Sequence, residues 1–297
     1  MLISRRGLLK LTLGMGVAGF SSAAYGFAIE PGLLLHVQRY RIRPTRWPRG
    51  MPLRIVVVAD PHLGEPYMPL DRYAGIVDTA TALAPDLIVM LGDYPPGHRF
   101  VTRPVATEDF ARVSRGLRAR HGVYSILGNH DWWADEQAQL RQRGPVDIQR
   151  ALERNGIQVL SNDAVRIAGD GAPFWLLGLG DQLAFLRPRG GATGIDDLTG
   201  TLARVYDDAP AILLAHEPDI FPKVPQRVAL TLCGHTHGGQ VRLFGYSPIV
   251  PSRYGNRYAY GHVAEGGRHL VVSGGLGCSN LPVRFGVPPE ITVVDLA

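Results

Sequence analysis

The stretch "LRIVVVADPH", residues 53–62, decides the fold. Six apolar positions, mostly β-branched, are too few for a helix and too continuous for a strand with one wet face, so they read as a strand buried on both sides and ending at Asp60. Further on, "PDLIVMLGD" repeats the form and ends at Asp93, and "GVYSILGNHD" runs into Asn129, His130 and Asp131. Between the first two, Tyr73, Ile76, Val77, Ala80 and Leu83 recur at helical spacing, predicting a helix over 71–84. "EDFARVSRGLRAR" reads as a second helix.

Downstream the pattern turns strand-rich. "IQVLSN", "AVRIAG", "FWLLGLGD", "AILLAHE" and "VALTLCGHTH" read as strands, with a helix over 196–206, and the stretches from "GGQVRLF" through "HLVVSGG" to "EITVVDL" read as antiparallel material. Alternating strand and helix followed by strands predicts an α/β body with a mixed sheet, or two sheets face to face. One catalytic domain over 51–297 suits the length.

The N-terminus has another character. "MLISRRGLLK" precedes nineteen residues without a charge, Leu11 to Ile29. A paired arginine ahead of a Gly/Ala-rich apolar run reads as a twin-arginine export signal over 1–30, with Ser4 and Leu8-Leu9-Lys10 around Arg5 and Arg6. The expected partner is the twin-arginine export machinery, and the expected location is periplasmic or membrane-attached outside the cytoplasm. Residues 11–29 are long enough to stay as a membrane anchor. The arginine- and proline-rich residues 31–50 read as a connector.

Net charge is +5, of which Arg5, Arg6 and Lys10 supply three, leaving +2 for the body. That is no nucleic-acid footprint. Cys233 and Cys278 lie far apart without a disulfide framework, so they read as two buried thiols.

The chemistry sits at the strand ends. Asp60 and His62, Asp93, Asn129 with His130, His216, and His235 with His237 all follow apolar strands. In open α/β sheets the C-terminal ends of strands line the ligand crevice, so these distant residues are expected to meet. Singly each cluster is an ordinary turn; together they supply the imidazoles, carboxylates and amide that divalent metals take. Seven oxygen and nitrogen donors (Asp60, His62, Asp93, Asn129, His216, His235 and His237) exceed the four a single zinc needs. They fit two first-row ions that share a carboxylate and present a bridging hydroxide to a phosphoryl group. An imidazole free of metal should then protonate the leaving oxygen, and His130 is the candidate.

The ordered set D-x-H, G-D, G-N-H-D, H, G-H-x-H from Asp60 to His237 resembles the calcineurin-like metallophosphoesterase superfamily. The signal, "IEP" at 29–31 and the tail "VVSGGLGCSNLPVRFGVPPEI" are similar to its exported bacterial branch, the YaeI/YkuE type of phosphodiesterase. The resemblance implies a four-layer fold of two mixed sheets between helices. It implies a first ion on Asp60, His62 and His237, a second on Asn129, His216 and His235, Asp93 bridging, and His130 as acid in contact with phosphate; Mn, Fe and Zn all suit these donors. One position departs from the pattern: the aspartate that orients the histidine in the protein-phosphatase relatives is Pro96 here. Asn280 and Arg284 are further candidates for substrate phosphate, with a surface ion pair as the other reading of Arg284; Asp181 is a candidate partner behind the ligands.

The reading is thus a phosphoester hydrolase, diester before monoester. A pyrophosphate hydrolase acting on a nucleotide-linked lipid precursor, and a metal-binding domain without turnover, are the alternatives.

Overall fold

The computed structural model describes residues 5–169 and 171–297. Of the export motif, Ser4 and the side chains of Arg5, Leu8, Leu9 and Lys10 lie outside the described residues. Helix α1 spans Arg5–Ala24 and continues through a wider turn at Tyr25–Ile29. Among the described residues no helix is long and apolar enough to cross a membrane.

The first sheet contains β1 (His36–Ile42), β2 (Leu53–Val58), β3 (Leu87–Met90), β4 (Val123–Ser125), β5 (Gln158–Val159) and, from the C-terminus, β12 (Glu290–Leu296). The second contains β6 (Asp163–Ile167), β7 (Phe174–Gly178), β8 (Ala211–Leu214), β9 (Val228–Cys233), β10 (Gly261–Glu265) and β11 (Arg268–Val272). The orders are β1-β12-β2-β3-β4-β5 and β10-β11-β9-β8-β7-β6. Both are mixed: β12 runs antiparallel to β2, while β2, β3 and β4 are parallel; β7, β8, β9 and β11 are parallel, flanked by antiparallel β6 and β10.

Strand alternation distributes the core. Ile55 and Val57 join Leu176, Ile212, Leu214, Leu230 and Leu232 between the two sheets. Val56 and Val58 point the other way, onto helices α2 (Leu70–Ala82), α3 (Thr107–Ser114) and α6 (Asp147–Arg154), through Ile76, Val77, Phe110 and Leu152. Leu177, Leu213 and Val272 face outward from the second sheet against Ile220, Phe221 and the neighbourhood of α7 (Leu198–Ala203). Helices, sheet, sheet and a thinner helical layer make the sandwich that the family resemblance implies, and the two sheets face each other as one of the pattern's two alternatives has it. The intervening short helices α4 (Asn129–Trp133) and α5 (Glu136–Arg141) cap the first sheet near the site.

Three expectations are corrected. Residues 36–42 are no connector: "HVQRYRI" is the edge strand β1, parallel to β12 in register His36 to Glu290 through Ile42 to Leu296. Its arginines hid it, because an edge strand may keep one side in water. The stretch "GGQVRLF" forms isolated bridges at Val241 and Leu243 in place of a strand. The helices end earlier than their apolar spacing predicts, at Ala82, Ser114 and Ala203. Cys233 and Cys278 are both buried and unjoined.

Candidate metal centre

Asp60 and His62 follow β2, Asp93 follows β3, Asn129 opens α4 after β4, His216 follows β8, and His235 and His237 follow β9. The C-terminal ends of parallel strands in both sheets therefore converge on one crevice. Backbone bonds stitch the loops together: Asp60 N–H donates to Gly92 O (3.1 Å), His62 N–H to Asp93 O (3.1 Å) and Gly234 N–H to His216 O (3.0 Å).

Six of the seven predicted ligands are brought together by their donor atoms. Donor atoms of Asp60, His62 and His237 lie within 4.8 Å of one another, as do those of Asp93, His216 and His235. Asp93 joins the two sets: its Oδ2 is 3.6 Å from His62 Nε2 and 3.2 Å from His216 Nε2. The seventh, Asn129, is buried and adjoins His130, whose backbone N–H donates to Asp93 Oδ1. Five of the seven, Asp60, His62, Asp93, His235 and His237, have φ between 44° and 68°. Non-glycine residues seldom adopt that region, and such strain gathers at functional sites. Glycines make room: a Cβ on Gly128 would lie 2.4 Å from Asp93 Oδ1, and one on Gly234 2.5 Å from Asp60 Oδ2.

The donor set fits cations. Among the described residues, Asp60 Oδ2, Asn129 Oδ1, His216 Nε2 and His235 Nδ1 are buried without a hydrogen-bond partner. These four, half of the eight such atoms among the described residues, belong to predicted ligands, and a buried polar atom left unpaired is costly. The far nitrogens are committed: His62 Nδ1 bonds Pro95 O (2.9 Å) and His216 Nδ1 bonds Leu91 O (2.7 Å). A carbonyl only accepts, so each Nδ1 carries a hydrogen and each Nε2 is the nitrogen turned to the crevice, where it ligates in the neutral ring.

Electrostatics agree. Burial pulls His62 down to about 3 and holds His235 and His237 below the usual imidazole range, which keeps them neutral and able to ligate. Burial would also lower His216, but Asp93 outweighs it and raises the imidazole well above its ordinary value. Asp93 in turn is held well below the usual carboxylate range, against its burial, chiefly by His216 and His130. Burial, countered by His216 and reinforced by Asp93, pushes Asp60 up to about 7.

His130 stands at the mouth, half-buried, its ring edge-on to His62 at 4.8 Å and tilted against Trp133 at 5.1 Å. Its backbone N–H donates to Asp93 Oδ1 at 2.8 Å. A ring nitrogen also lies within 4.8 Å of donors of His62 and Asp93, so proximity alone does not separate it from a ligand. Where Pro96 removes the orienting aspartate, Ser279 Oγ lies 3.4 Å from His130 Nε2. Asp131 turns away and accepts from Gly128, Asp93 and Tyr94 N–H at 2.7, 2.8 and 3.0 Å, fixing the loops that carry Asp93 and Asn129.

Arg284 takes neither of its expected roles. It is fully buried and spends its guanidinium on the carbonyls of Gly274, Gly277 and Val287, with Nη2 3.2 Å from His237 Nδ1. Asn280 is exposed at φ 62°, beside Ser279. Asp181 accepts from Leu183 N–H at 2.8 Å, a turn-capping bond, and its other oxygen lies unpaired near Glu217 and His216. Glu217 carried no signal in the sequence beyond its place next to His216.

The family model for calcineurin-like phosphoesterases matches residues 53–239. An "Uncharacterized metallophosphoesterase YkuE" of Bacillus subtilis (strain 168) is 34% identical over 306 residues, covering 99% of this chain and 98% of that protein. An "Uncharacterized metallophosphoesterase" of Aquifex aeolicus (strain VF5) is 28% identical, covering 88% of this chain and 92% of that protein. "Phosphodiesterase YaeI" of Escherichia coli (strain K12) is 29% identical, covering 99% and 100%. Family and donor set together support divalent metals and hydrolysis of phosphoesters. The chain belongs to the calcineurin-like phosphoesterase family.

Proposed function

We propose that the protein is a dinuclear-metal phosphodiesterase, delivered through the twin-arginine machinery to the outer side of the cytoplasmic membrane and attached there through residues 11–29. The observation that carries the dinuclear reading is the position of Asp93, whose Oδ2 lies between His62 and His216 at 3.6 and 3.2 Å. Asp60, His62 and His237 would hold one ion, Asn129, His216 and His235 the other, and Asp93 both. Ions bound there acidify water and neutralise the charge of a phosphoryl group.

The chain supplies the rest. His130, at the open side, donates its proton to the leaving oxygen, a contribution of about 10²–10⁴-fold. The rings of His62 and Trp133 limit its rotation, and the Ser279 hydroxyl is placed to hold its Nε2. The name of the Escherichia coli relative supports diester over monoester.

The test is hydrolysis of bis(p-nitrophenyl) phosphate with Mn²⁺, alongside metal content by mass spectrometry. Two ions per chain are expected, with a loss of about 10³-fold or more in Asp93→Asn, given that both sets of donors share that carboxylate. One ion per chain, or an unimpaired variant, overturns the reading.

A further inference from the structure

Beside the metal centre the chain bears large apolar side chains with nothing packed on them. Leu243 and Tyr246 exchange backbone hydrogen bonds of 2.9 Å around Phe244 and Gly245, both at positive φ (50° and 83°). Two such residues make the tight reversal of a hairpin. Phe244 at its tip is wholly exposed, Tyr246 is 62% and Ile249 80% exposed. An aromatic residue held in the left-handed region, touching nothing in its own chain, has no return within the fold for its strain and exposure.

The turn is tied both to the site and to the N-terminal segment. Phe285 N–H donates to Gln240 O and Arg242 N–H to Phe285 O, each at 2.8 Å. Arg284 N–H donates to Gly26 O at 2.9 Å, and the Tyr25 ring meets Phe285 edge-on at 5.7 Å. Ser279, the residue that meets His130, donates its N–H to Gln240 Oε1 at 2.6 Å. The exposed turn, the end of the uncharged N-terminal run and the proton donor thus lie within a few bonded residues of one another. Leu281 and Phe100, each nearly half exposed, extend the apolar rim, since Gly97 bridges Ser279.

Phe244, Tyr246 and Ile249 lie on the turn and Phe100 and Leu281 on other loops, each exposed singly, and such scattered apolar side chains suit a soft apolar phase better than a protein ridge. Arg99 lies over exposed Phe100 at 5.3 Å, a cation and an aromatic ring side by side, as at a headgroup boundary. Gly26 and Tyr25, which meet Arg284 and Phe285, continue back along the chain into α1, where Leu13, Met15, Val17 and Phe20 are exposed, and Arg5, Arg6 and Lys10 precede them in the sequence. We infer that the 241–249 turn, Leu281 and the N-terminal apolar segment together dock the mouth of the metal centre onto an anionic lipid bilayer. This rests on the membrane-attached phosphodiesterase reading and adds a surface to it: the site would meet phosphodiesters at headgroup level.

The test uses the full chain with metal and vesicles of phosphatidylglycerol and phosphatidylethanolamine, followed by sedimentation. The native chain should partition to vesicles, and Phe244→Ser/Ile249→Ser should weaken partition by about tenfold or more, with hydrolysis of soluble bis(p-nitrophenyl) phosphate unchanged. Equal partition of the two chains, or no partition of the native one, overturns the inference. So does self-association of the native chain, seen by light scattering, that the double variant abolishes while vesicle binding persists. Vesicle binding that depends on Phe244 in a chain without diesterase activity would sustain the docking surface and remove the proposed function.

Discussion

Left-handed backbone at Asp60, His62, Asp93, His235 and His237 costs about 1–3 kcal/mol at each, and the loops endure it because it aims donors from different strands at one point. The clearance that this packing leaves is small, so Gly128→Ala should abolish metal uptake: its Cβ would lie 2.4 Å from Asp93 Oδ1 and 2.5 Å from the His216 ring. Equilibrium dialysis against Mn²⁺ would show it, and native uptake would refute it. His130→Ala should behave oppositely, keeping its metal while kcat falls about 10²–10⁴-fold; loss of metal in that variant would make His130 a ligand. The donors were legible in the sequence because each ends a buried apolar strand, a pattern with a physical cause. Ser279 and Arg284 were not, because a loop residue gives no sign of what its side chain will meet.

At the scale of elements, the loop that follows β11 is held from the far end of the chain. Buried Glu30 accepts from Gly286 N–H at 3.1 Å and Val287 N–H at 2.8 Å, and Arg284, two residues before Gly286, reaches His237. Glu30→Ala should therefore destabilise the protein by about 2–4 kcal/mol, two hydrogen bonds to a charged group, measurable by urea unfolding. It should also weaken metal binding although Glu30 is no ligand; unchanged metal affinity would uncouple the two. Strands with continuous apolar runs were readable at this scale. The edge strand β1 was not, since arginines on an edge look like a linker until the partner β12, some 250 residues away, is known.

The molecule as a whole should bind metal more weakly in acid. Asp60, pushed up to about 7, must lose its proton to ligate, and so must His216, which Asp93 raises; His62, His235 and His237 are already neutral. Mn²⁺ affinity should then fall about tenfold or more per pH unit below 7, and calorimetry in buffers of different ionisation heat should count the released protons. A pH-independent affinity between 5.5 and 7 would contradict these shifts. Without metal the signs divide. His62, depressed in the fold to about 3 from 6.5, contributes stability present above pH 6.5 and lost as pH falls toward 3. Asp60, raised in the fold, contributes stability present below 3.8 and lost as pH rises through about 7. The metal-free protein should thus vary little in stability near pH 5, where the two slopes oppose.

The pairing of β12 between β1 and β2 has a consequence for synthesis. The strand β12, distant in sequence from both of its neighbours, is an inner strand of the first sheet, aligned with β1 over Glu290–Leu296 and with β2 over its final five residues. The sheet cannot close until residues 290–296 have left the ribosome, so assembly of this half waits for their synthesis. A stop codon placed before Glu290 should leave β1 without a neighbour and the site's Asp60 loop unsupported, whatever remains of the second sheet.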